Sequence, residues 1–373
     1  MTSSTSDIVI VGGGVIGCGI AHRLASEGAS VTVVERAGRV ATESSGAAAG
    51  ILAPPVHATA PHLFDLATAS HPMFPALADQ LRDESGLDIE LQRSGALDVA
   101  RDELGEELLR DKLRWLQEGG HGVRWVDRED VLAMEPALDP AVRGAFYDED
   151  GYQIRPGRFN EALARAAAHR GVHFELNAEV VGFDGSRPRL TGVKTARGTI
   201  SADYVIIAAG AWASFCGEWL GVNIPVFPAR GQILTLYSMP PPIKRIVYGA
   251  GVYLLPRLDG TIVVGATAER VGFDRSLTVS AMAWLLSTAP VLVPALADAA
   301  FDRAWTGLRP GSPDELPMIG AAPGWDNVTL AVGHYRNGIM LAPITAQLVA
   351  NLILRGQGSP LLEHVRPERF QPA

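Results

Sequence analysis

Gly12, Gly14 and Gly17 stand at the spacing G-x-G-x-x-G, and the acid Glu35 follows 18 residues after the last of them. Residues of these types at this spacing can hold a pyrophosphate and a ribose. Gly12 permits a tight turn, Gly14 lets backbone N–H groups approach phosphate oxygens with no Cβ in the way, and Gly17 lets a helix lie close to a strand. A carboxylate further on can accept both hydroxyls of an adenosine ribose, the task that falls to Glu35. The elements needed to position these groups are present in order. Ile8-Val9-Ile10-Val11 is an unbroken β-branched run, suited to a strand buried on both faces. Ile16, Ile20, Ala21 and Leu24 recur with helical period over 15–27, Gly28 ends that helix, and Val31-Thr32-Val33-Val34 reads as a second strand that Glu35 closes. The glycines alone would also fit a turn that binds nothing. Strand, helix, second strand and terminal acid in register point to a dinucleotide, and the acid disfavours NADP.

The bulk composition narrows the classes further. A chain of 373 residues predicts about two domains, and 47% hydrophobic with 20% charged residues is a globular composition. The net charge of −9, from 41 acidic and 32 basic residues with no Lys/Arg cluster, argues against a nucleic-acid surface. Cys18 and Cys216 are the only cysteines, which excludes a disulfide framework and fits a reducing cytoplasm. The opening MTSSTSD has neither a basic nor a long apolar region, so no signal peptide is expected. Stretches 281–297 and 338–354 are uncharged but marginally short for a membrane span and interrupted by proline, so both predict buried helices. The nine histidines show no HExxH spacing and there is no CxxC pair; no metal is expected.

Along the chain, Ser44 to Leu52 is a run of small residues that either lies flat against a planar ligand or starts an Ala-rich helix. Helical pattern follows over 63–85, with short strands around 89–91 and 96–100. The charged stretch 102–118 predicts an amphipathic helix with Leu104, Leu108, Leu113 and Leu116 facing inward. A short helix over 127–134 leads to Asp148-Glu149-Asp150-Gly151, a solvent-exposed turn where a domain crossing is placed. A helix from Pro156, strands near 173–183, a hairpin over 190–201 and a buried strand over 203–208 then resume the nucleotide-binding half. That last strand ends at Gly210, a second close-approach glycine at the sheet edge where ligands sit. Segments 224–237, 252–256 and 261–266 predict a separate antiparallel sheet, and helices return over 278–289, 294–299 and 339–354.

Taken in order, G-x-G-x-x-G, Glu35, SSGAAAGIL, IIAAGAW, GLRPGSPDELPMIG and GHYRNGIMLAP resemble the FAD-dependent amino-acid oxidases of the D-amino-acid oxidase group. The likeness is greatest to its bacterial glycine-oxidising branch, associated with the thiazole of thiamine, and runs from about Ile8 to Leu354. It implies an α/β fold: a discontinuous Rossmann-type FAD-binding domain (1–86, 151–220 and 300–373) and a substrate-binding domain on an antiparallel sheet with flanking helices (87–150 and 221–299). It also implies that Gly12, Gly14, Val15, Ile16 and Gly17 meet the pyrophosphate, and that Glu35, Arg36 and the backbone of Val180 meet the adenosine half. Ser44, Ser45, Ala49, Gly50 and Ile51 match the loop lining the flavin. His334, Tyr335, Arg336, Asn337, Gly338, Ile339 and Met340 match the segment that points backbone N–H groups at the flavin ring. Tyr253, Arg309 and Arg336 match substrate-site residues, since a guanidinium grips a carboxylate bidentately while a tyrosine hydroxyl takes the remaining oxygen. Packing for Tyr253, a surface salt bridge for Arg309 and a flavin or structural role for Arg336 are the rival readings.

Three departures qualify the likeness. Ala268 stands where a methionine can follow Gly-Ala-Thr, which suggests a roomier side-chain site. The loop Tyr248-Gly249-Ala250-Gly251 is short, so lid contacts do not transfer. Neither cysteine matches a flavin-attachment position, so FAD is expected to be non-covalent. The resemblance thus implies a cytoplasmic homo-oligomer, a tetramer in many relatives, that oxidises glycine, sarcosine or small D-amino acids with O2 and needs no acid/base residue. Two alternatives stay open: a dehydrogenase of amino or hydroxy acids using another acceptor, and a non-catalytic flavin-binding subunit.

Overall fold

In the computed structural model, which describes residues 5–57, 61–119 and 122–371, the first β-branched run becomes the central strand Thr5–Val11. It lies parallel to Val31–Val34 on one side and to Gly198–Ile207 on the other, with Val9 and Ile10 fully buried. A run with no polar alternation needs two covered faces, and both are supplied. On one side the helices Val15–Ser26, Pro156–His169 and Gly338–Arg355 pack together and share a core with Ile8 and Ile10; Val9 and Val11 face a second core under the helix Ala213–Leu220. The close approach of the first helix depends on Gly17, where a Cβ would overlap the Gly12 carbonyl oxygen. Residues 1–4, within the stretch read for a signal peptide, lie outside the described residues.

The second sheet also has eight strands among the described residues. Its order is Ala300–Gly311, Phe227–Tyr237, Thr261–Gly265, Val252–Pro256, Ile246–Gly249, Ala96–Ala100, Gly144–Asp148, Val123–Asp127. Every pairing is antiparallel except that of Ile246–Gly249 with Ala96–Ala100. The strand Ala300–Gly311 therefore belongs by pairing to this sheet, although the expected division counted 300–311 with the nucleotide half. A small ribbon of Ile51–Leu52, Tyr152–Gln153 and Gln92–Arg93 lies where the chain passes between the two sheets.

Several expectations need correction. The helical stretch 63–85 is two α-helices, Pro61–Ser70 and Phe74–Ser85, joined by a 3-10 turn containing Pro72, which has no N–H to continue the ladder. No strand forms at 89–91; the strand is Gln92–Arg93. In the charged helix Glu103–Glu118, Leu113 and Leu116 are buried, but Leu104 and Leu108, in its N-terminal half, are 65% and 61% exposed. Asp148 is buried, and only Glu149 and Asp150 of the acidic turn reach solvent. Ser44–Ala47 is one helical turn, so the small-residue run both starts a helix and lines a cavity. Gly338–Arg355 is long and apolar enough to cross a bilayer, yet 61% of its apolar window is buried against the first sheet's core.

Candidate active site

The carboxyl ends of the first sheet's parallel strands open onto a cavity of about 750 Å3, roofed by the second sheet. It gathers residues far apart in the chain: Gly14, Val15 and Ile16; Ser44, Ser45, Ala49, Gly50 and Ile51; Gly210; Tyr253 and Arg309; and His334, Tyr335, Arg336, Asn337, Gly338, Ile339 and Met340. Gly12, Gly17, Glu35, Arg36 and Val180 do not line it. Gly12 (φ +114°) makes the turn against the Ala208 carbonyl, as the tight-turn role requires. Glu35 lies at the end of its strand, its carboxylate accepting the N–H of Gly13 (2.8 Å) and of Ala37 (2.9 Å), with lone pairs to spare. Arg36 pairs with Glu43 (2.6 Å) and stacks on Trp212 at 3.6 Å. Val180 begins its strand two residues beyond Ala178, whose N–H donates to the Glu35 carbonyl.

One row of residues crosses the second sheet on the face that carries the cavity: Trp305, Ile233, Gly265, Tyr253, Tyr248, Asp98 and Phe146, each paired with the next. Two glycines shape the space above it. A Cβ at Gly265 would overlap the Tyr253 hydroxyl, and one at Gly231 would overlap the Arg309 guanidinium, so both polar groups lie over glycine. Arg309 Nη1 donates to the Thr267 carbonyl (2.8 Å). That carbonyl is held in turn because Thr267 Oγ1 accepts the Gln232 N–H (2.9 Å) and donates to Glu269 (2.6 Å), which pairs with Arg230 (2.6 Å). No carboxylate lies within 4.0 Å of Arg309 among the described residues, so its charge is anchored but not neutralised. Burial draws its affinity for a proton below the usual arginine range, and burial likewise pushes the Tyr253 hydroxyl up to about 12. Arg336 is exposed at the rim, its guanidinium over the Tyr335 ring.

Local charge elsewhere is equally particular. His334 is buried, its Nε2 3.1 Å from Thr345 Oγ1, and burial lowers its pKa to about 3, so it is neutral at physiological pH. Arg257, unremarked in the sequence, is buried with its pKa lowered to about 10 by burial; it donates to Gln153, to the Ile154 carbonyl and to the Ala49 carbonyl. It braces the 49–51 turn, where Gly50 (φ +86°) abuts the Ile154 carbonyl. Asp98, Tyr248, Leu108 and Leu109 also line the cavity and were missed, because the first two are brought there by strand register and the last two by the packing of the charged helix. Cys18 and Cys216 are buried and outside the lining.

Residues 7–352 match the family model for FAD-dependent oxidoreductases named DAO. The chain belongs to the DAO family. Among relatives, it is 38% identical to a glycine oxidase of Pseudomonas aeruginosa over 349 residues, covering 93% of this chain and 94% of that protein. It is 36% identical to the bifunctional protein ThiO/ThiG of Synechocystis, covering 98% of this chain but 54% of the relative, so the chain spans about half that protein's length. Its structure is similar to that of glycine oxidase from Geobacillus kaustophilus, with a TM-score of 0.95, 33% identity, and coverage of 99% of this chain and 100% of the other. The α/β architecture of the DAO family, a Rossmann-type sheet beside a mainly antiparallel one, is thus the fold observed.

The family's FAD suits the first-sheet half of this cavity. Where a Cβ would stand, Gly14 has only Ser45 Oγ at 3.3 Å and Gly210 has nothing within 4 Å, leaving room for a ligand against bare backbone. The helices Val15–Ser26 and Gly338–Arg355 both start beside the cavity, the first with its Val15 N–H donating to Ser45 Oγ (2.9 Å) and the second without a side-chain cap, so their N-terminal dipole ends face the space a pyrophosphate and an electron-rich ring would fill.

Proposed function

We propose that the chain oxidises small amino acids, glycine and sarcosine first among them, at the end of the cavity marked by Arg309 and Tyr253. The observation that carries this reading is the unneutralised Arg309 charge inside a cavity of a FAD-dependent family, since such a charge needs an anionic partner. The glycine oxidases among its relatives and structural neighbours support the substrate class. The resemblance to their thiamine-associated branch supports a place in supplying the thiazole.

Arg309 would take the substrate carboxylate bidentately and Tyr253 would donate to it, with Arg336 closing the rim; this fixes which face of the α-carbon is presented. FAD, held by Gly12, Gly14, Val15, Ile16, Gly17, Glu35, Arg36, Val180, Gly210, the 44–51 turn and residues 334–340, would supply the hydride acceptor and return electrons to O2 as H2O2. Neither His334, held neutral with its pKa lowered to about 3, nor Tyr253, held protonated, is poised to remove a proton near pH 8, and the reading has the amine arrive neutral. An imine leaves and hydrolyses to the oxoacid with ammonia or methylamine. The reading includes non-covalent cofactor, the first sheet as nucleotide domain, the second as substrate domain, and a cytoplasmic homo-oligomer; two buried free thiols support a reducing setting. The test is peroxide released per amino acid consumed. One equivalent supports an oxidase, while turnover only with an added dye supports a dehydrogenase.

A further inference from the structure

Beyond Tyr253 the cavity lining continues along the second sheet to Asp98, an acid opposite in sign to Arg309. We infer that Asp98 forms a distal cation subsite, so that the cavity accepts amino acids whose side chain ends in an ammonium or guanidinium group. The inference rests on the carboxylate anchor proposed for Arg309 and Tyr253.

Asp98 shares the cross-sheet row with Tyr248 and Tyr253, on the same face, and lines the same cavity as Arg309. The Tyr253 hydroxyl lies over Gly265, three strands from Asp98, which at about 4.8 Å per strand puts the two polar ends roughly 14 Å apart. A hydrogen bond of about 2.8 Å at each end leaves roughly 8 Å from the Tyr253 side, past Tyr248, and the Arg309 guanidinium, over Gly231 one strand further on, lengthens the span, so the substrate must be extended and at least lysine-sized. Leu108 and Leu109 line the same cavity and offer apolar contact to the intervening methylenes.

Asp98 is also without a committed partner. No hydrogen bond or ion pair to its carboxylate occurs among the described residues. Lys112 is the nearby cation, but its Nζ donates to the Val56 carbonyl (2.6 Å), sits 5.5 Å from the Phe146 ring and makes no ion pair with Asp98 within 4.0 Å. Burial raises the Asp98 pKa, the cost of a carboxylate that a bound cation would offset. The exposed Leu108, which lines the cavity, then makes sense as the outer wall of a site wider than the smallest substrate needs.

Two non-oxidisable acids of equal chain length separate the ends. The FAD-loaded protein is titrated with 6-aminohexanoate and with hexanoate, and binding is followed by the visible spectrum of the flavin. Wild type is expected to bind the amino acid at least about tenfold more tightly, and Asp98→Asn to bring the ratio to about one. A wild-type ratio of one or less overturns the inference without any variant, and a preference that survives Asp98→Asn overturns it as well. Hexanoate binding that weakens in Arg309→Leu tests the anchor separately. If neither acid perturbs the flavin, the anchor fails and the inference falls with it.

Discussion

Arg309 owes its position to one carbonyl, that of Thr267, and to the absence of a side chain at Gly231. Replacing it by leucine should therefore leave the fold and the flavin in place while weakening carboxylate binding by about 2–5 kcal/mol, the usual cost of breaking a desolvated charge pair. Glycine kcat/KM measured on flavin-loaded Arg309→Leu checks this; an unchanged value removes the assignment. His334 makes a pH prediction. Its folded pKa, about 3, lies below the 6.5 of the unfolded chain, so the unfolded state binds a proton that the native state refuses and stability falls as pH drops through that window. Wild type should lose about 2 kcal/mol between pH 7 and pH 5 that His334→Gln does not lose, read from urea midpoints. Of the residues at this scale, Gly14 and Arg309, which the structure places on the cavity, sit in distinctive motifs, whereas Tyr253 lies outside them and was named through the resemblance alone. Asp98 and Arg257 were not readable: Asp98 is set between Phe146 and Tyr248 by strand pairing, and Arg257 donates to Gln153 and Ala49, all distant in sequence.

At the level of elements, strand, turn and helix from Thr5 to Val34 could be read directly, since each is local and their spacing is set by backbone geometry. The charged helix shows where such reading stops. Its period identified an inward stripe, but how much of that stripe the sheet covers depends on where the helix projects, so Leu104 and Leu108 came out exposed. Asp102 caps this helix by accepting the Gly105 N–H (2.7 Å); Asp102→Ala should cost about 1 kcal/mol, seen as a lower melting temperature. The 49–51 turn is more demanding. Gly50 combines φ +86° with a close approach to the Ile154 carbonyl, so Gly50→Ala should cost about 2 kcal/mol or more and lower the flavin absorbance relative to protein. A variant with full flavin content would show that the turn does not line the cofactor.

For the whole molecule, the cavity exists because two sheets face one another and the chain crosses between them repeatedly. Neither sheet alone encloses it: the first supplies helix N-termini and bare glycines, the second supplies Tyr253, Arg309 and Asp98. Two sheets with a mainly antiparallel second one were legible from the patterns, but the allegiance of Ala300–Gly311 was not, because a strand's partner is decided by pairing with Phe227–Tyr237 rather than by its own residues. The central claim concerns chemistry at the junction, and it is tested most directly by adding glycine or sarcosine to the FAD-loaded protein without oxygen. The flavin band should bleach at a rate that saturates with amino acid, and readmitted air should restore it with release of peroxide. A flavin that stays oxidised with every small amino acid tried, though it is reduced by dithionite, would contradict the assignment.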